Sequence, residues 1–382
     1  SDDGTVALRG ISFSKDGSLA AYMITEGGSD WRKIIVIDSE KKSIIEDTLI
    51  DVKFSSVSWR GNEGFYYSSY PNPKNTSELS AKTQLHKLYY HKLGTPQTSD
   101  KLIYGGEKQP NRYISGYVTE DQNFLVISAS KTTSGNQLHI LDLKKQRLVT
   151  IHKEYMNRLS VVHNEGNQFF IYTNIESPNG RIFSVNLNSP KKWNDIIPEK
   201  ENVLSASFGG GYLFASYLVD AKTEVEQLDL NGKLIRKIKL PGIGTASGFS
   251  AKKEDKDLYY SFRSFTFPST IYNYRMTTGE SEIYQSPSID FNAEDYITKQ
   301  IFFKSKDDTS IPMFITHKKD MVMNGTNPTI LYGYGGFNIS LTPSFSATNL
   351  VWLENGGVYA VANLRGGGEY GKKWHLAGTK MN

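Results

Sequence analysis

A chain of 382 residues is longer than one ordinary domain needs, and it predicts two domains. Its 38% hydrophobic residues suffice for a buried core, while 23 Tyr, 19 Phe and 33 Gly favour strands joined by tight turns. The net charge of +4 is spread in short pairs and cysteine is absent, which argues against a nucleic-acid interface and excludes disulfides, thiolate metal sites and a cysteine nucleophile.

Residues 5–288 repeat one pattern: an alternating strand, a polar turn, further strands and a closing turn that contains Asp or Asn. The spacing of about 45 residues is the size of a four-stranded propeller blade, and such meanders bury both faces by stacking in a ring. The six copies close near these positions: Asp38, Tyr90, Asp142, Leu187, Asp229 and Tyr274. We therefore predict a mostly β chain that opens with a β-propeller over residues 1–288. A β-sandwich is the alternative, although six units exceed what one sandwich uses.

The pattern changes near Pro287, where a polar joint at residues 290–295 begins a second region. Near-continuous apolar runs in this region suit strands that are buried on both faces of a mostly parallel sheet. The predicted strands are a hairpin at 296–303 and 311–317 and apolar runs at 329–332 and 357–363. The stretch 344–353 has mixed spacing and is predicted to be partly helical. Residues 289–382 are therefore predicted to form a second domain that contains a mostly parallel sheet.

Residues 366–371, GGGEYG, have the G-x-G-x-x-G spacing of a dinucleotide-binding turn. That site would also need a helix directly after it and an acidic residue about 20 positions further on. A lone match is weak, and Glu369 would place a carboxylate beside the diphosphate. The seven histidines show no metal-ligand spacing. We therefore expect neither a cofactor nor a metal site.

Residues 331–338, LYGYGGFN, place a tyrosine and paired glycines directly after a predicted apolar strand. In α/β-hydrolases a glycine-rich loop in this position supplies one donor to the oxyanion of acyl transfer. Tyr334 and the glycines after it fit that role, but a glycine-rich turn with a packed tyrosine fits equally, and the residues alone leave both open. No G-x-S-x-G nucleophile motif occurs in the chain. His375, beside Trp374, is a candidate base, although a lone histidine next to an aromatic ring is more often structural.

Long motifs give the chain a specific family resemblance. LYGYGGFNIS at residues 331–340 and NLRGGGEYG at residues 363–371 resemble the prolyl oligopeptidase (prolyl endopeptidase) family of serine peptidases. Shorter matches lie along the rest of the chain: SDDGTVA at 1–7, GSDW at 28–31, KLYYH at 87–91 and residues 304–311. The resemblance implies a seven-bladed β-propeller, with about six blades in this chain. It also implies that residues 289–382 are the N-terminal part, with the first strands, of an α/β-hydrolase domain.

The resemblance also implies an activity and the residues that carry it. The activity is that of a serine endopeptidase that cuts short peptides after proline, with the propeller restricting access to oligopeptides. The tyrosine of the family's GYGGF motif donates its hydroxyl to the oxyanion, which assigns that role to Tyr334. The phenylalanine of the same motif lines the apolar proline pocket, which assigns that role to Phe337. A propeller phenylalanine in a V-K-F-S segment lines a more distant substrate pocket, and Phe54 matches it.

Several parts of the family pattern lie outside this chain. They are the nucleophile, the acid and the base of the triad, the second oxyanion donor, and the N-terminal helical segment with most of the first blade. We therefore expect the 382-residue chain to be inactive by itself and the complete protein to be a monomer. No apolar run approaches the roughly 20 residues of a membrane span. We expect short proline-containing peptides as partners, no nucleic acid or membrane, and a cytoplasmic location, with a periplasmic one as the alternative.

Two alternative functions are kept. A propeller that serves only as a peptide- or protein-binding scaffold would have no nucleophile motif encoded downstream of residue 382. A related oligopeptidase that cuts after basic residues would need carboxylates in its specificity pocket. Phe337 argues against that second alternative.

Overall fold

The computed structural model describes residues 4–45, 48–71 and 84–380; residues 1–3 of the SDDGTVA motif lie outside this part of the chain. The first eight strands are β1 (Val6–Phe13), β2 (Leu19–Glu26), β3 (Arg32–Asp38), β4 (Leu49–Val52), β5 (Ser58–Arg60), β6 (Gly64–Ser69), β7 (Lys87–Lys92) and β8 (Lys101–Gly105). The next eight are β9 (Tyr113–Val118), β10 (Phe124–Ser130), β11 (Gln137–Asp142), β12 (Arg147–His152), β13 (Leu159–Glu165), β14 (Gln168–Thr173), β15 (Arg181–Asn186) and β16 (Trp193–Ile197). They are followed by β17 (Val203–Gly209), β18 (Tyr212–Val219), β19 (Lys222–Leu228), β20 (Leu234–Lys237), β21 (Thr245–Ser247), β22 (Asp257–Arg263), β23 (Thr270–Arg275) and β24 (Glu280–Gln285).

Up to β24 the strands form meanders in which chain neighbours pair. β1 to β8 make one eight-stranded sheet, in which a single residue pair, Val52 with Ser69, joins β4 to β6. Four four-stranded sheets follow within the described residues: β9–β12, β13–β16, β17–β20 and β21–β24. The predicted repetition of four-stranded units is therefore confirmed.

The turns predicted to close the repeats lie instead between the third and fourth strands of these units, and they share one hydrogen-bond pattern. Asp142 Oδ1 accepts from the backbone N–H groups two and three positions further on, at 3.0 and 2.9 Å. Side-chain oxygens in three other repeats make turns of the same kind, at Asp38, Asn186 and Asp229. A short side-chain acceptor satisfies N–H groups that no strand partner reaches. This is the physical reason for the recurring Asp or Asn in the sequence.

The chain divides into two compact units, each with its own apolar core. In unit 1, consecutive residues of β10 from Phe124 to Ile127 are buried, so both faces of this strand are covered, and Leu125 and Ile127 belong to the core. In unit 2, aromatic rings form much of the core, and Tyr260 stacks on Phe249 with 4.7 Å between ring centroids. Unit 1 comprises Ser1–Ile171 and Val185–Trp193, and unit 2 comprises Tyr172–Ser184 and Asn194–Asn382.

The last four strands, all in unit 2, form a mixed sheet. They are β25 (Tyr296–Lys304), β26 (Ser310–Lys318), β27 (Thr329–Gly333) and β28 (Val358–Ala362), and their order is β25-β26-β28-β27. β27 and β28 are parallel, and helix α1 (Ala347–Glu354) connects them. Leu350 and Leu353, three positions apart on one helix face, pack on Tyr296. The helix predicted within residues 344–353 is therefore present, and a second helix, α2 (Gly371–Leu376), follows β28.

One expectation for this sheet is wrong. The apolar run of β27 was expected to be buried on both faces, but all five of its residues are exposed. The reason is its position, because β27 lies at the edge of the sheet and pairs only with β28 among the described residues. β28, between two strands, is buried as expected.

The exposed apolar edge of β27 leads us to expect that the 382-residue chain self-associates. Unpaired N–H and C=O groups on an apolar edge strand are a template for pairing with another copy, and a lysine on the strand opposes that pairing. Leu331 is 66% exposed. Leu331→Lys should therefore shift the mass measured by light scattering towards that of a monomer.

Val351→Lys is the matched control, since Val351 is 60% exposed but lies on α1 rather than on the strand edge. It should leave the association unchanged. A wild-type chain that stays monomeric at high concentration contradicts the expectation.

Candidate functional site

Two glycine-rich segments begin at the same end of the last sheet, where the parallel strands β27 and β28 terminate. β27 ends at Gly333 and leads into the GYGGF segment, residues 333–337, while β28 ends at Ala362 and leads into the RGGGEYG segment, residues 365–371. Because β27 and β28 are parallel, their carboxyl ends lie together. The two motifs that the sequence singled out are therefore brought to one place.

The GYGGF and RGGGEYG segments approach so closely that glycine is required in both. Gly335 and Gly366 have left-handed φ angles of 62° and 95°. A Cβ atom on Gly366 would lie 2.1 Å from the carbonyl oxygen of Gly335, and one on Gly335 would lie 2.8 Å from that of Arg365. The Asn338 N–H donates to Gly366 O at 3.1 Å, and the Gly366 N–H donates to Trp374 O at 3.0 Å. Backbone contacts thus fix the position of the GYGGF segment.

A buried carboxylate joins the RGGGEYG segment to Leu341, four residues after the GYGGF segment. Glu369 is 1% exposed, and its Oε1 accepts from the Leu341 N–H at 2.9 Å. Asn363, also buried, donates from Nδ2 to Leu341 O at 2.6 Å and to Glu369 Oε1 at 3.3 Å. Leu341 is therefore held through both its N–H and its C=O. Glu369 Oε2 and Asn363 Oδ1 have no hydrogen-bond partner among the described residues.

Sequence reasoning missed the role of Glu369. The only signal was an acidic residue inside a glycine-rich turn, where a solvated surface charge is the ordinary expectation. Its partner, the backbone N–H of Leu341, lies 28 residues earlier and carries no side-chain signature.

Arg365, in the RGGGEYG segment, was likewise not singled out. Its guanidinium pairs with Asp307 and donates from Nη2 to Ser305 Oγ at 3.2 Å, which ties the segment to the β25–β26 turn. The hydrogen bond from Arg365 holds the pKa of the Asp307 carboxyl well below its usual range.

Tyr334 and Phe337 are both accessible. Tyr334 is 46% exposed, and its hydroxyl makes no hydrogen bond to any of the described residues. Phe337 is 85% exposed and has a left-handed φ of 52°, an uncommon conformation for a bulky residue. The two ring centroids are 6.5 Å apart. The structure thus places an unengaged hydroxyl donor beside an exposed apolar ring in one loop.

Phe54 belongs to unit 1. It also has a left-handed φ, 51°, and it is 45% exposed. The edges of Tyr70 and Tyr113 meet its ring at centroid distances of 6.2 and 5.8 Å, and Lys53 Nζ lies 5.4 Å from its centroid. A half-exposed ring on strained backbone is a feature that clusters at binding sites.

His86 fixes the backbone that carries Phe54. Its Nδ1 accepts from the Ile114 N–H at 2.8 Å, its Nε2 lies 3.1 Å from Lys53 O, and its ring stacks on Tyr70 at 4.3 Å. One acceptor and one donor nitrogen require the neutral ring. Burial lowers the pKa of His86 to about 4, which keeps the ring neutral at physiological pH.

Two other candidates from the sequence, His375 and the turn at residues 366–371, have structural roles in the fold. His375 Nδ1 donates to Gly366 O at 2.7 Å, which makes it a support of the RGGGEYG segment. The dinucleotide interpretation of residues 366–371 loses support, because α2 has only six residues and the Glu369 carboxylate is buried inside the turn. Across residues 4–45, 48–71 and 84–380 there is no cluster of three acidic or histidine side chains that could hold a metal ion, and no helix with the length and hydropathy of a membrane span.

Comparison with known families gives two matches along the chain. The family described as "Prolyl oligopeptidase, N-terminal beta-propeller domain" matches residues 1–287. The "Prolyl oligopeptidase family" matches residues 343–382, which include β28 and the RGGGEYG segment.

Curated relatives match over the whole chain. A prolyl endopeptidase of Elizabethkingia miricola is 52% identical over 384 residues, which are 100% of this chain and 54% of the relative. A prolyl endopeptidase of Dictyostelium discoideum is 32% identical, over 100% of this chain and 58% of the relative. The chain therefore spans about half the length of the curated relatives it matches.

Solved structures match equally far. A prolyl endopeptidase structure superposes with a TM-score of 0.88 at 35% identity and covers 99% of this chain and 56% of its own. Prolyl oligopeptidase B from Galerina marginata, bound to a 35-residue hydrolysis and macrocyclization substrate, gives 0.87 at 27% identity with the same coverage.

Gly366→Ala should destabilise unit 2 strongly. The new methyl group would overlap the Gly335 carbonyl, and backbone atoms cannot move aside as a flexible side chain can. We expect a loss of about 3 kcal/mol or more in the free energy of unfolding, measured with urea. Gly356→Ala is the matched control, since Gly356 also has a left-handed φ, 80°, but open space around it, and should cost about 1 kcal/mol. Equal losses would show that the close approach is not tight.

Stability should fall in acid because of His86. Its pKa is 6.5 in an ordinary environment and about 4 in the folded chain, so the stabilisation is complete above pH 6.5 and is lost as the pH falls towards 4. The difference amounts to about 3 kcal/mol, of which about 2 kcal/mol is lost by pH 5. His86→Gln keeps a donor and an acceptor but does not titrate.

Between about pH 7.5 and pH 5, the unfolding free energy of wild type should therefore fall about 2 kcal/mol further than that of His86→Gln. Burial also lowers the pKa of His139 to about 4, but that residue is present in both proteins and cancels. The same pH dependence in both proteins would contradict the role of His86.

Proposed function

The chain belongs to the prolyl oligopeptidase family, and from this membership we propose that its protein is a serine endopeptidase that hydrolyses short peptides on the carboxyl side of proline. Relatives that bear this name match the chain from end to end. We propose residues 1–288 as the propeller that restricts access to oligopeptides and residues 289–382 as the N-terminal part of the α/β-hydrolase domain. The nucleophile, acid and base would come from the half of the relatives' length that this chain does not cover.

The observation that carries the proposal is the state of Tyr334. An oxyanion donor must be fixed in place before the reaction and must not be engaged elsewhere. The backbone of its loop is fixed by the contact of Gly335 with Gly366, while its own hydroxyl has no partner among the described residues. During attack on the scissile carbonyl, the oxygen gains negative charge, and the Tyr334 hydroxyl would donate a hydrogen bond to it.

Phe337 would form an apolar wall for the proline side chain. Its ring is 85% exposed beside Tyr334, so a substrate that covers it removes apolar surface from water next to the reacting carbonyl. A specificity pocket for a basic residue would need a carboxylate here. Phe54, half-exposed between Tyr70 and Tyr113, is proposed to line a second substrate pocket in the propeller.

We propose short proline-containing peptides as partners of the enzyme, with no nucleic-acid or membrane partner, no cofactor, and a monomeric state for the complete protein. A chain without cysteine fits the cytoplasm, and the periplasm is the alternative.

Tyr334→Phe in the full-length protein should lower kcat roughly a hundredfold, the usual cost of one oxyanion donor, with little change in KM. The substrate is a short peptide with an internal proline, and the same peptide with alanine at that position should be cleaved far more slowly. Tyr332→Phe, which removes a hydroxyl two residues earlier on β27, is the matched control and should leave kcat unchanged.

An unaltered kcat in Tyr334→Phe would remove Tyr334 from the reaction without touching the substrate class. Equal cleavage of the proline and alanine peptides would overturn the proposed specificity instead.

A further inference from the structure

The turn between β18 and β19 packs against the last sheet, β25–β28. The hairpin lies in the part of the chain that matches the propeller family, and both the hairpin and the sheet belong to unit 2. The two turn residues, Asp220 and Ala221, have left-handed φ angles of 48° and 62°. Two-residue hairpins of this kind normally use Asn-Gly, because alanine is strained there. Ala221 is nevertheless completely buried, in a cluster with Phe314 of β26 and Val361 of β28. A strained turn that is held by such packing points to a role beyond closing a hairpin.

The polar groups of this turn hold two parts of the hydrolase region. Asp220 Oδ1 accepts from the Tyr370 hydroxyl at 2.8 Å, which fastens the RGGGEYG segment. Gln300 of β25 donates from Nε2 to Asp220 O, and Lys222 Nζ donates to Gln300 Oε1 at 3.0 Å. Burial and the bond to Asp220 raise the pKa of Tyr370 well above its usual value, so its hydroxyl stays a proton donor throughout the physiological range.

The residue before Tyr370 extends this connection to the loop of Tyr334. Glu369, adjacent to Tyr370, accepts from the Leu341 N–H at 2.9 Å. Leu341 belongs to the loop that runs from Tyr334 to the start of α1, and the same loop is bonded to the RGGGEYG segment through Asn338 and Gly366. The segment that carries Tyr370 is therefore bonded to the loop of Tyr334 at two places, Gly366 and Glu369.

We propose that Asp220 and Tyr370 are positioning residues for the oxyanion donor, so that a propeller hairpin helps to set the place of Tyr334. This inference rests on the proposed role of Tyr334. It differs from a purely stabilising role in one respect. Removal of the Asp220–Tyr370 hydrogen bond should slow the reaction only while Tyr334 still carries its hydroxyl.

The test is a double-mutant cycle on kcat in the full-length protein, with a short proline-containing peptide as substrate. Tyr370→Phe keeps the ring and its edge contact with Trp374, at 4.8 Å between centroids, so the fold is preserved. It should lower kcat about tenfold with KM unchanged, because a small misplacement of a catalytic donor is costly. In the Tyr334→Phe background, the same change should alter kcat less than about twofold. Tyr259→Phe, which removes an exposed hydroxyl from β22, should have no effect in either background.

Three results would overturn the inference, and they can be told apart. If Tyr370→Phe lowers kcat by the same factor in both backgrounds, it acts independently of Tyr334, and the proposed function stands while this inference falls. If Tyr370→Phe leaves kcat unchanged in wild type, the hydrogen bond to Asp220 positions nothing, and again only this inference falls. If Tyr334→Phe itself has no effect, the role of Tyr334 and the inference fall together.

Discussion

The close approach of two peptide backbones, at Gly335 and Gly366, is the constraint on which the site depends. No Cβ atom fits on Gly366 beside the Gly335 carbonyl, so the two segments can pack only as glycine against glycine. That contact in turn requires β27 and β28 to be parallel neighbours, because only then do both segments leave the sheet at one edge. Tyr334 is therefore placed by backbone geometry, before any side-chain interaction is counted.

Several non-glycine residues with left-handed φ angles lie at the proposed substrate-contacting and positioning sites. Phe54, Asp220, Ala221 and Phe337 all have φ angles between 48° and 62°. Each such residue costs roughly 1–2 kcal/mol relative to an ordinary conformation, and must be held by its surroundings. Ala221 is held by a buried aromatic cluster, whereas Phe54 and Phe337 are largely or partly exposed. Phe54 contacts the rings of Tyr70 and Tyr113 but remains half-exposed, and Phe337 is largely exposed, so both keep apolar surface open to a ligand.

Interactions between residues close in the sequence could be predicted, and they account for much of the fold. Contacts between residues far apart in the sequence could not be predicted. The Asp and Asn residues that mark each repeat act on N–H groups two to four positions away, so the sequence pattern contains the whole interaction. The apolar runs of β27 and β28 were recognisable as strands for the same reason, because the pattern lies within each run. The bond between Asp220 and Tyr370 spans 150 residues, and nothing in either neighbourhood indicates it. The exposure of β27 depends on which strand lies at the sheet edge, and an apolar run looks the same in either position.

Because the Tyr334 hydroxyl has no hydrogen-bond partner among the described residues, substrate binding could orient it for catalysis. A donor that bonds to its own protein must break that bond before it can serve an oxyanion, whereas Tyr334 has none to break among the described residues. In the proposed role of oxyanion donor, its rotamer would instead be ordered when the substrate binds. In the proposed function Phe337, 6.5 Å away between ring centroids, would be the apolar surface that a prolyl ring covers. Binding at Phe337 would thus restrict the space open to the tyrosine ring and hold its hydroxyl near the scissile carbonyl, so part of the binding energy would go into orienting the donor.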